Sequence, residues 1–362
     1  MRRYELGMAL TYAKGWGVSD AVREFFQNAL DEQKENPENK MYWEYNQETK
    51  TLIIANKHSK LSPASLLMGS SSKEGKNELI GEHGEGYKVA TIVLLREGKT
   101  VKIYNNTVNE VWTSRVVRSR RYGTDIGCFD ISKDFFNKEY DLVVKIEGIT
   151  EDDWAKIVDS NLHLQDNIGE TISADDATIL LEDKYSGKIY VEGLYVCTKS
   201  FLQWGYNLPA NLIKLDRDRG LVDSFDLQWT LGNVISKVED VDFISDHLDF
   251  PDLQYVHYSL KSREESVSDK VSDRVYENFK EEYGEDAVPV SDTDSFNLYA
   301  KAGKNPVMVK DNIKTIIEYK DRDYENQIPK SIDDQYEEWR EEARRYLPKN
   351  LVAQIDILWK KK

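Results

Sequence analysis

The chain has 362 residues, 40% of them hydrophobic and 31% charged, which is enough for two or three domains with a substantial core. No apolar run approaches the length of a membrane span, and the opening Met1-Arg2-Arg3-Tyr4-Glu5 lacks the apolar core of a signal peptide; the expectation is a cytoplasmic protein without membrane contact. A net charge of −16 disfavours direct binding to a nucleic-acid duplex, because the average surface repels phosphates.

Cys128 and Cys197 match no metal or redox spacing, and no histidine pair has zinc-like spacing. One basic run, Arg115, Arg118, Arg120 and Arg121, interrupts the acidic trend. Alternation over 111–118 reads as a strand whose arginines lie on a solvated sheet face, with a local basic patch as the alternative.

Residues 1–18 mix aromatics and glycines and lead into a predicted helix over 19–32, S-D-A-V-R-E-F-F-Q-N-A-L-D-E, with Ser19 as N-cap. Val22, Phe25, Phe26, Ala29 and Leu30 form its core-facing stripe. Glu24, Asn28 and Asp31, spaced four and then three residues apart, stack on another side. Such a row is either a solvated polar face or a place to hold a metal ion and a water. Pro37 lies in the polar stretch that ends the helix, and runs 41–45 and 52–55 read as a hairpin. A short helix over 61–68 opens at Ser62 and Pro63, followed by a ligand-orderable loop over 69–77, G-S-S-S-K-E-G-K-N.

Residues 79–90 read L-I-G-E-H-G-E-G-Y-K-V-A, with Gly81, Gly84 and Gly86 preceding an apolar helical run over 89–95. Glycines let a backbone approach an anion, and the helix N-terminus beyond them offers free N–H groups and a positive dipole end. The spacing is neither the dinucleotide fingerprint nor a Walker loop, so by itself it is a turn or a phosphate cradle.

Runs 100–104, 108–117, 125–131 and 142–146 alternate as strands of an antiparallel sheet, and 151–160 is helical. A linker over 161–175 leads to a second β-rich unit over 177–197, with a hairpin turn at Ser186 and Gly187. Residues 208–220, L-P-A-N-L-I-K-L-D-R-D-R-G, precede a helix over 224–238. Past Asp240, helices over 261–283, 292–302 and 312–319 alternate with strands 287–290 and 306–309 as a small α/β module. After a linker over 320–330, helices 336–346 and 351–359 make a charged tail broken at Pro348.

E-x-x-x-N-x-x-D on one helix, followed by G-x-x-G-x-G opening another, resembles the ATP-binding domain shared by gyrase, the ninety-kilodalton heat-shock chaperone, histidine kinases and MutL (the GHKL superfamily). The run I-G-E-H-G-E-G-Y-K-V-A-T-I-V-L looks most like the chaperone branch. The resemblance covers about residues 15–150, weakens over 177–240 and is absent beyond. It implies an α+β chain: a Bergerat-type α/β sandwich, its mixed, mostly antiparallel sheet carrying helices on one face, over 1–165. A transducer-like domain would span 166–245 and a small α/β module with a helical tail 246–362.

The resemblance also implies roles. Glu24 would be the general base for the water that attacks the γ-phosphate of ATP, and Asn28 would complete the coordination of Mg²⁺. Asp31 would support the adenine or ribose end. Backbone N–H groups around Gly84, Glu85, Gly86 and Tyr87 would cradle the phosphates, with Gly81, Lys73 and Lys88 in the same cofactor-binding set. In the superfamily a second domain gives a cation to the γ-phosphate; Lys214, Arg217 and Arg219 are the candidates, against surface ion pairs with Asp216 and Asp218.

One departure stands out. The superfamily's D-x-G-x-G is matched here by N-K-H-S-K, with Asn56 in the Asp position and His58 and Lys60 in place of the glycines. Asn56 either accepts the adenine amino hydrogen bond or is a structural asparagine in a turn, and Lys57 and Lys60 are free to approach phosphates instead. The expected activity is Mg²⁺-dependent ATP hydrolysis driving a conformational switch, with pairing of two subunits in the ATP state and an unidentified protein partner. The alternative is a binding module without turnover, nucleotide-stabilised or nucleotide-free, acting as an interaction or inhibitor protein, as in phage–host defence.

Overall fold

Alternation decides which face of the first sheet is dry. In β1 (Arg2–Ala9), Leu6 and Met8 are buried while Arg3 and Glu5 lie on the opposite side. The strand is hard to see in the sequence because Gly7, at φ +66°, interrupts it. The computed structural model describes residues 1–66, 86–213, 224–260, 265–320 and 332–359.

The other strands are β2 (Tyr42–Asn46), β3 (Thr51–Asn56), β4 (Thr100–Asn105), β5 (Glu110–Arg118), β6 (Asp125–Lys133) and β7 (Leu142–Glu147). They form a seven-stranded sheet in the order β1-β6-β5-β4-β7-β3-β2. Every pairing in it is antiparallel, so the sheet is not mixed. One face is covered by α1 (Val18–Glu35), α2 (Gly86–Arg96) and α3 (Glu151–Asp159), and Phe26, Ile92, Trp112, Phe129 and Ile157 meet in the core between the layers. The chain is thus α+β, with an antiparallel sheet packed against helices.

α1 starts earlier than its expected cap. Gly17 is extended, and its N–H donates to the Asp20 carboxylate at 2.9 Å, so Asp20 closes the first turn and Ser19 lies inside the helix. The stretch expected as a short helix over 61–68 is a single 3-10 turn, Pro63–Leu66, among its described residues.

The second sheet contains β8 (Thr171–Ala174), β9 (Ala177–Leu180), β10 (Lys188–Val191), β11 (Leu194–Thr198) and β12 (Gly205–Leu208). Its order is β11-β10-β12-β9-β8, with β10 and β12 parallel. The expected linker therefore holds a strand and a 3-10 turn, Leu162–Leu164. The β10–β11 hairpin turns at Glu192 and Gly193, with φ of 49° and 79°, and not at Ser186 and Gly187. Two successive positive φ values give the turn whose twist matches its strands. Leu194, just past the turn, is buried in the core of the first sheet.

The chain divides into two compact units, Met1–Leu227 and Gln228–Lys362. α4 (Ser224–Ile235) crosses the boundary. The second unit continues with α5 (Val241–Asp246), α6 (Val256–Leu260) and α7 (Glu265–Tyr283). There follow β13 (Ala287–Val290), α8 (Thr293–Lys301), β14 (Asn305–Met308) and α9 (Asp311–Lys320). β13 and β14 pair in parallel across α8, as a strand–helix–strand crossover requires. Two further helices, α10 (Ile332–Ala343) and α11 (Lys349–Trp359), are joined by a Tyr336–Trp359 stack at 4.2 Å and an Arg340–Asp356 ion pair at 2.7 Å.

Candidate functional site

The polar side of α1 is mostly dry. Glu24 is 1% exposed and Asp31 2%, while Asn28 between them is half-buried. A solvated polar face does not look like this, because buried carboxylates are retained only where they are paired or used. The Asn28 amide nitrogen donates to Glu24 O, four residues back, at 2.9 Å. That orientation leaves Oδ1 and the second amide hydrogen of the side chain to meet a ligand.

The Glu24 carboxylate reaches the start of α2. A Cβ placed on Gly86 would lie 2.0 Å from Glu24 Oε2 and 3.2 Å from its Cδ, so any side chain there would displace the carboxylate from this position. Two motifs that are distant in sequence thus meet where α1 and α2 pack side by side. A carboxylate at the first turn of a helix also sits at the favourable end of its dipole.

Arg23 holds this carboxylate from the other side. It is 9% exposed, with Nη2 3.5 Å from Glu24 Oε1 and Nη1 3.9 Å from Asp20 Oδ1. Nη1 also donates to the backbone oxygen of Tyr195 on β11 at 3.1 Å, and the guanidinium lies 5.5 Å from the Trp16 ring centroid. The planar fork of arginine suits such divided use.

In the first turn of α2, Lys88 is fully buried, its Nζ 5.7 Å from the Tyr87 ring centroid. The Tyr87 hydroxyl donates to Ser65 O at 2.8 Å and lies 2.9 Å from Ser65 Oγ. Burial pushes the Tyr87 phenol up to about 12, against a smaller opposing effect of the Ser65 hydrogen bond. The Tyr87 side chain thus anchors α2 to the 3-10 turn.

Asn56, at the end of β3, is buried, and its Nδ2 donates to Ala29 O of α1 at 3.2 Å. Its backbone oxygen accepts from Asp141 N–H at 3.1 Å. His58, in a position where the superfamily has glycine, has φ +56°, the left-handed conformation that glycine adopts most readily. Its N–H donates to Asp141 Oδ2 at 2.7 Å. Lys57 pairs with Glu139 at 3.7 Å and lies 5.8 Å from the Tyr140 ring centroid.

The structure thus brings together Glu24 and Gly86, and it places Asn28 and Asp31 on the same helix as Glu24 and Asn56 against that helix. Lys73, Gly81, Gly84, Glu85, Lys214, Arg217 and Arg219 lie outside the described residues. Sequence reading missed Arg23 and Ser65. An arginine inside a helix next to its expected catalytic carboxylate was the signal for the first; Ser65 carried none. Among the described residues no three His, Cys, Asp or Glu side chains cluster as a metal site. In the basic run, Arg115 pairs with Asp130 at 3.4 Å and Arg118 with Asp125 at 3.4 Å.

The sequence matches no protein-family model and has no match among curated proteins.

Proposed function

We propose that the first unit binds Mg²⁺–ATP between α1 and α2 and hydrolyses it, and that turnover switches the conformation of the chain. The observation that carries this reading is the approach of the Glu24 carboxylate to Gly86. It joins the acidic–amide face of α1 to the helix N-terminus that follows the glycine motif. The left-handed backbone at His58 is further support, since it keeps a glycine-like bend after β3.

In this reading Glu24 orients the attacking water and takes its proton, and Arg23 fixes the carboxylate in place. The α2 N-terminus offers N–H groups to phosphate oxygens. Asn28 Oδ1 holds Mg²⁺, which supplies charge neutralisation at the phosphates; one amide ligand suits an ion that keeps most of its waters. Asn56, with one amide hydrogen given to Ala29 O of α1, offers its side-chain oxygen to the base. Lys214, Arg217 and Arg219 remain the candidates for a γ-phosphate cation. The switch acts on a protein partner, with two chains pairing in the ATP state.

Phosphate release and calorimetry on wild type, Glu24→Ala and Asn28→Ala test this. The expected result is Mg²⁺-dependent turnover in wild type, nucleotide binding without turnover in Glu24→Ala, and loss of Mg²⁺-dependent binding in Asn28→Ala. Tight binding without hydrolysis in wild type would leave a nucleotide-stabilised binding module. No binding at all would end the ATP reading.

A further inference from the structure

The second unit carries a groove with an apolar floor and an acidic rim. It has a volume of about 750 Å³ and lies between α5, α7 and the segment that runs from β14 into α9. Leu248 and Phe279 are buried beneath it, while Met308, 50% exposed, and Tyr283, 41% exposed, stand at its side. Among the described residues that line it, Asp246, Asp249 and Glu282 stand against one cation, Lys310. Lys310 is itself held by Asp249, donating to its backbone oxygen and lying 3.7 Å from Oδ1. The groove therefore presents net negative charge around an apolar centre, and its chemical complement is an apolar segment flanked by cations.

α11 has that chemistry. It turns Val352, Asp356 and Trp359 toward α10, where Val352 is 5% exposed. Its other side leaves Leu351 at 42%, Ile357 at 56% and Leu358 at 69% exposure. Leu351 and Leu358 are seven residues apart and share one face, so the helix has a second apolar stripe. Lys349 opens the helix, and Lys360, Lys361 and Lys362 follow it, the only run of three basic residues in the sequence.

We propose that α11 of one copy docks, by its Leu351 and Leu358 face, in the α5–α7–β14 groove of a second copy, with its flanking lysines against Asp246, Asp249 and Glu282. Each chain carries both halves of the contact, so a twofold-symmetric pair makes it twice and closes. The contact needs no nucleotide and is independent of the ATP reading.

Sedimentation velocity on the full chain without nucleotide, at low and high salt, tests it beside Leu358→Asp and Glu282→Lys. Both substitutions are at exposed positions, and thermal melts check that each variant is folded. The expected result is a dimer that loosens with salt, with each variant raising its dissociation constant by about tenfold or more. A fluorescent peptide of residues 349–362 should bind wild type and bind Glu282→Lys by the same factor more weakly. A monomer at every concentration overturns the proposal, leaving the groove to the chain's own helix or to another cationic segment. A dimer indifferent to both substitutions also overturns it.

Discussion

Gly86 concentrates the case for the site in one hydrogen. Gly86→Ala forces the Glu24 carboxylate to swing away, because the new methyl would fall 2.0 Å from Oε2. The expected outcome is turnover reduced by about tenfold or more, equivalent to about 1.4 kcal/mol in the barrier, with the melting temperature barely changed. Full activity in Gly86→Ala would separate Glu24 from the chemistry. Asn56→Asp should destabilise by about 1–3 kcal/mol in chemical denaturation, since a carboxylate cannot donate to Ala29 O. Glu24 and Asn28 were legible in the sequence because helical spacing alone stacks them. The donor role of Asn56 was not, because its partner lies 27 residues earlier on another element.

Among elements, α3 shows how a short helix is held. Thr150 Oγ1 accepts from Asp153 N–H at 3.2 Å, and Asp153 Oδ2 accepts from Thr150 N–H at 3.0 Å and from Lys99 Nζ at 2.5 Å. Burial pulls the Asp153 carboxyl up, but the Lys99 ammonium and the Thr150 donors outweigh it and hold the group below its ordinary range. A depressed folded value means stability that is present above the unfolded value of about 3.9 and is lost as pH falls through the folded one. Lys99→Met should flatten that acid limb in pH-dependent melts, and Thr150→Ala should cost about 1 kcal/mol. The strands of the first sheet were largely readable, since β2 to β7 are runs of five to nine residues rich in β-formers and bounded by polar turns. β8 and the turn at Glu192 were not. A four-residue strand has too little period, and Glu192 is a non-glycine residue at positive φ.

At the scale of the molecule, the first unit runs past the end of its first sheet. Leu194 completes the core of that sheet, Lys34 pairs with Glu192 at 2.7 Å, and Tyr195 N–H donates to Ser160 O at 2.9 Å. A fragment of residues 1–165 lacks all of these partners, whereas residues 1–227 keep them. Calorimetry should show one cooperative melt for 1–227 and a broadened or absent one for 1–165; equal cooperativity would mean the second sheet is dispensable. The sequence could not announce this, because the Lys34–Glu192 pair joins residues 158 apart along the chain.

The bond from Arg23 to β11 ends on the main-chain oxygen of Tyr195. Nothing about the side chain at 195 is needed to make it, so Tyr195→Phe should leave it intact. What it depends on is register, which shifts between Ile189 and Tyr190 and so decides which carbonyl faces α1. The identity of residue 195 is free to drift over evolutionary time without cutting the link, while inserting or deleting one residue in the hairpin would cut it at once.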